Sequence, residues 1–198
     1  MITNSYIFIC VVVFIYINFI SKEDHTTSIM KLGALYVPKV REGEWWRMIT
    51  CHFIHENIMH LFMNMYCIYF LGNYFESMLG NYYIPLVIMG MLTSSLFTVL
   101  APMYFPRLDK HMTIGASGVA FAYFGAMIGL ALFSKDSYFM LILQGYLYII
   151  IINLLFTFLM PGISKTGHIG GLIGGYLFTF IKFSTENPRS FRPWDKYQ

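Results

Sequence analysis

The distribution of charge along the chain restricts its fold more than any other feature. Six apolar stretches, at about 5–20, 57–75, 83–101, 115–133, 138–159 and 166–183, alternate with polar connections. There are 13 Lys and Arg and 10 Asp and Glu in 198 residues, and of these only Lys182 falls inside a stretch, at an end where it can snorkel. Each stretch is close to the roughly 20 residues that cross a bilayer as a helix. A water-soluble core of six such helices without charged faces would aggregate. Only 12% of residues are charged, against about a quarter in soluble domains. The chain therefore reads as an all-α, polytopic membrane protein with six transmembrane helices and the lipid bilayer as a partner. The same figures exclude a disordered chain, a nucleic-acid-binding domain and a disulfide-stapled secreted module.

The connections are unequal. The first, about 21–56, is long and polar and carries Trp45, Trp46 and Arg47. The fourth, Ser134–Ser137, is a tight turn, and the fifth starts with Pro161-Gly162. Residues 1–183 read as one membrane domain and 184–198 as a polar C-terminal tail. The first twenty residues hold no Lys or Arg, which favours a retained helix over a cleaved signal peptide. Cys10, Cys51 and Cys67 form no CxxC pair and give no disulfide or zinc framework. Counting Lys and Arg on the two sides of the six spans leaves the orientation open.

Polar side chains inside apolar spans must find their own partners in lipid, at a cost of about 2–7 kcal/mol if they do not. His60, Asn64, Ser117 and His168 therefore stand out. His60 and Asn64, four apart, share a helix face. By themselves they could be an interhelical hydrogen-bond pair. Ser117 lies in Gly115-Ala116-Ser117-Gly118, where small neighbours permit close approach and helix-start amides point outward. A serine so placed suits either packing or nucleophilic attack. His168, Gly171 and Gly175 lie on one face of the last span, fitting a tight helix crossing or a base beside a nucleophile. Alternation of the six spans brings all four residues to one depth on one side. No carboxylate shares that depth, so the expectation is a Ser117–His168 dyad without a third member.

At these residues the chain resembles the rhomboid family of intramembrane serine proteases. Trp46-Arg47 is similar to the family's first-loop pair, and His55, His60 and Asn64 to its second-helix motif. Gly72, Glu76 and Gly80 match the far end of that helix, Gly115-Ala116-Ser117-Gly118 the GxSG of the fourth, and His168, Gly171 and Gly175 the sixth. The match covers about 5–183 and is similar to the minimal six-helix form. The resemblance implies Ser117 as nucleophile, His168 as general base and acid, and His60, Asn64 and the Ser117 amide as the oxyanion hole. It implies supporting roles for His55, Phe121, Trp46, Arg47, Gly115, Gly118, Gly171 and Gly175. Phe121 departs from the tyrosine often found there. The resemblance further implies transmembrane protein substrates, no cofactor or metal, and a cell-membrane location with both termini cytoplasmic.

Other readings predict different chemistry. A rhomboid-like pseudoprotease would bind membrane clients without cutting them, but such relatives usually lack the serine or histidine retained here. The run His55-Glu56-Asn57-Ile58-Met59-His60 superficially looks like HExxH, yet its histidines are five apart and on different faces. A metal site from His52, His55 and His60 is a remote option. A transporter would call for charged or broken helices at the midplane, which the spans do not offer.

Overall fold

Within lipid a backbone amide is satisfied most simply by its own helix. In the computed structural model, which describes residues 1–134 and 136–185, all six apolar stretches are helical. The first, α1 (Ile2–Ile15), ends in a widened π-helical turn to Ile20. The first connection folds as a unit of α2 (His25–Leu32), strand β1 (Leu35–Tyr36), α3 (Val37–Arg41) and α4 (Arg47–Thr50). Then come α5 (Ile58–Cys67), which widens through Ile68–Gly72 and continues as α6 (Asn73–Leu79), and α7 (Tyr83–Leu100). Strand β2 (Met112–Thr113) precedes α8 (Ser117–Phe133), α9 (Ser137–Leu159) and α10 (Lys165–Thr185). The polar tail expected from 184 lies outside the described residues beyond Thr185, as does Lys135 in the fourth connection.

Length and composition alone qualify Ile2–Ile20, Ile58–Met103 and Ser137–Leu159 to cross a membrane. The 46-residue stretch from Ile58 is two passes, because the chain turns back at Gly80, where φ is +55°. Helix α8 has only 17 residues, about 25 Å at 1.5 Å per residue, against a hydrocarbon core of about 30 Å. It starts at Ser117 and not at 115, since Gly115 takes φ +115° and keeps the helix from beginning sooner. The second span, expected to stop at 75, stays helical to Leu79.

Helix α8 is buried along nearly its whole length. It meets α10 backbone to backbone. A Cβ placed on Gly171 would strike the Gly118 carbonyl, one on Gly175 the Ala122 carbonyl, and one on Gly125 the Leu172 carbonyl. Helix α9 differs, with Phe139, Ile150 and Thr157 its buried residues.

The ends of α1 show how the connections are tied. Glu76 accepts from the Ile2 and Thr3 amides at 2.8 and 2.9 Å, placing a carboxylate at the helix N-terminus. Thr3 Oγ1 donates to Tyr83 Oη, which lies 2.6 Å from Tyr123 Oη. On the other membrane face β1 pairs antiparallel with β2, Leu35 opposite Thr113, and Arg41 meets Asp109 at 2.8 Å. The first and third connections thus share a face. Buried Arg47 holds the first connection together, donating to the Met30 and Ala34 carbonyls and to Glu44, with its guanidinium 4.6 Å from the Trp46 ring. Lys182, expected to reach for water, is buried, its ammonium 3.0 Å from the centre of the Tyr82 ring.

Candidate active site

The Gly115-Ala116 segment is held from three sides before α8 begins. The Gly115 amide donates to the Cys51 carbonyl at 2.9 Å, and the Gly115 carbonyl lies 3.3 Å from His52 Nδ1. The Ala116 amide donates to His55 Nε2 at 3.3 Å. A Cβ on Gly115 would sit 2.6 Å from His60 Nε2, so the positive φ and the ring together require glycine. Ser117 comes next in the chain, half-buried at the open end of α8, where first-turn amides lack a carbonyl one turn back.

His60 is positioned by a helix start. Asn57 caps α5, its Oδ1 accepting from the His60 amide at 2.9 Å. The Glu56 amide donates to His60 Nδ1 at 3.5 Å. In a neutral ring this leaves the proton on Nε2, the atom beside Gly115. Asn64, one turn on and buried, donates one Nδ2 hydrogen to the His60 carbonyl at 2.8 Å and keeps the other.

His168 lies in the first turn of α10, on the side facing α8. Its buried ring stacks on Phe121, one turn past Ser117, with centroids 4.1 Å apart and planes 20° apart. Its Nδ1 is 2.7 Å from Thr157 Oγ1 on α9, a partner that sequence spacing did not reveal. Among the described residues no hydrogen bond joins Ser117 Oγ to His168. Catalytic contacts are often loose before substrate binds.

The residues singled out in the sequence thus fall into three groups. His60, Ser117, Phe121, His168 and the glycines converge on the start of α8, with Asn64 one turn below His60. Trp46 and Arg47 stand apart and secure the first connection. His52 and His55 face the backbone of the Gly115 segment and do not share a coordination point with His60. Among the described residues no three His, Cys, Asp or Glu side chains gather as a metal site, and Cys10, Cys51 and Cys67 are free thiols. His52 is the residue that the sequence undervalued. It reaches the Met91 carbonyl at 3.0 Å and Ser95 Oγ at 3.1 Å and so ties α7 to the Gly115 segment.

Comparison with known proteins then decides the family. A family model of the rhomboid domain matches residues 42–185, well over half the chain. The chain belongs to the rhomboid family. It is 31% identical over 181 residues to rhomboid protease GluP of Bacillus subtilis, covering 88% of this chain and 34% of that protein. It is 35% identical over 164 residues to the mitochondrial RHOMBOID-like protein 6 of Arabidopsis thaliana, covering 79% and 50%. RHOMBOID-like protein 1 of the same plant is 32% identical over 162 residues, covering 78% and 39%. This rhomboid therefore spans about a third to a half of the length of these curated relatives.

Proposed function

We propose that this rhomboid is an intramembrane serine endopeptidase that cuts transmembrane segments of other membrane proteins. The observation that carries the reading is the close meeting of α8 and α10 beside the half-buried Ser117, with His168 stacked one turn away on Phe121. Ser117 Oγ attacks the scissile carbonyl while His168 Nε2 takes its proton. The same imidazolium returns that proton to the leaving amine, and a water then repeats the sequence on the acyl-enzyme. The oxyanion is received by His60 Nε2–H, the free Asn64 Nδ2–H and the Ser117 amide. Losing one such donor costs about 10²–10³ in rate. His55 and His52 hold the Gly115 segment in place. No metal takes part in these steps. Both termini lie on the cytoplasmic side of the cell membrane, with the site opening to the other side.

The purified chain, reconstituted with a transmembrane substrate, tests this. Ser117→Ala and His168→Ala should abolish cleavage while both variants still insert, and a fluorophosphonate should label Ser117 only when His168 is present. A pseudoprotease would bind the substrate with no turnover in the unmodified chain. Cleavage persisting in either variant removes the dyad.

A further inference from the structure

We infer that Thr157 is the positioning residue for His168, and that through it the seating of α9 sets whether the base is ready. The inference rests on the dyad reading above and extends it to how the imidazole is held. Thr157 is 1% exposed on a helix whose other side chains mostly face outward. Its hydroxyl has one proton, which is donated to the Asn153 carbonyl one turn earlier at 2.7 Å. Only lone pairs remain to face His168 Nδ1, also at 2.7 Å. That contact is a hydrogen bond only if Nδ1 is the donor. The chain of donors then runs from His168 Nδ1–H to Thr157 Oγ1–H to the Asn153 carbonyl.

The consequence for the ring is specific. A neutral imidazole with its proton on Nδ1 has its lone pair on Nε2, the tautomer a base needs when Nε2 accepts from a serine. In Ser-His-Asp sites a buried carboxylate selects that tautomer and stabilises the imidazolium. Here a neutral hydroxyl selects it without adding charge. Phe121 fixes the plane of the ring, and Thr157 fixes its rotation within that plane.

Phe121 and Thr157 belong to elements of unequal anchorage. Phe121 sits on α8, which is locked to α10 by glycine contacts. Thr157 sits on α9, which has few buried residues. A shift of α9 by about 1 Å carries a 2.7 Å hydrogen bond beyond normal range. The ring then loses its tautomer preference while its stacking survives. Movement of α9 thereby switches the base without disturbing the nucleophile.

Two substitutions separate this role from packing. Thr157→Val keeps the shape and removes the acceptor; Thr157→Ser keeps the acceptor and trims a methyl group. Cleavage kinetics should show kcat reduced about tenfold or more in Thr157→Val with KM little changed, and near-normal kcat in Thr157→Ser. Nitrogen-15 NMR of histidine-labelled protein in nanodiscs, with His168→Asn to assign the signal, reads the tautomer directly. His168 should be protonated at Nδ1 in the unmodified chain and in Thr157→Ser, and a mixture in Thr157→Val. An unchanged tautomer in Thr157→Val, or Thr157→Ser failing as Thr157→Val does, overturns the inference. If the unmodified chain cuts nothing, the protease reading falls, and the NMR comparison still judges Thr157.

Discussion

Two imidazoles beside the Gly115 segment illustrate how one residue type serves opposite ends. His60 presents an N–H toward the start of α8, whereas His55 must stay an acceptor for the Ala116 amide. Burial, reinforced by the His60 ring nearby, holds the His55 imidazole down to about 3. In the unfolded chain the group takes up its proton near 6.5. Between those values the unfolded state binds more protons, so stability rises with pH. It is fully present above about 6.5 and is lost toward 3, at up to about 1.4 kcal/mol per pH unit. Unfolding midpoints in detergent between pH 4 and 7 should therefore fall more steeply for the unmodified chain than for His55→Gln. Parallel curves would contradict the assignment. His60, Asn64, Ser117 and His168 were legible in sequence because polar groups in apolar spans are conspicuous. Thr157 was not. A threonine in an apolar helix can satisfy itself on the carbonyl one turn back, as Thr93 and Thr98 also do, so spacing does not reveal which one also faces a neighbouring imidazole.

At the level of elements, two devices hold helices in place and each has its own expected cost. Gly175→Val drives side-chain atoms into the Ala122 carbonyl, a clash worth about 1–3 kcal/mol if α10 can shift and more if it cannot. Glu76→Gln keeps one acceptor for the start of α1 and removes the charge, an effect of about 0.3–2 kcal/mol. Gly145→Ala on α9, with open space around it, should be neutral or slightly stabilising. Thermal unfolding in detergent should rank the three in that order, and a harmless Gly175→Val would deny the close approach of α8 and α10. All six helices were readable from the alternation of apolar and charged segments. The short elements of the first connection were not. Strand β1 exists because Leu35 and Tyr36 meet Thr113 and Met112 from a distant connection, and Arg47 finds its carbonyls only once that connection is folded. Local propensity has no access to such partners.

For the whole molecule, contacts define two membrane faces. Glu76 and the start of α1 share one face with the turn at Gly80, while the β1–β2 pair and the Pro161-Gly162 turn lie on the face of Ser117. With cytoplasmic termini, Gly162→Cys should react with an impermeant maleimide in intact cells and Asn81→Cys only after lysis; the reverse pattern would invert the protein. The enclosure of α8 has a further consequence. Most of its residues are covered by neighbouring helices, so acyl chains would touch little of it, and its first residue, Ser117, is half-buried. Helix α9, with Phe139, Ile150 and Thr157 its buried residues, presents most of its surface outward. If Thr157 seats the imidazole as inferred above, a change in the bilayer that displaces α9 reaches His168 while the α8–α10 contact stays in place.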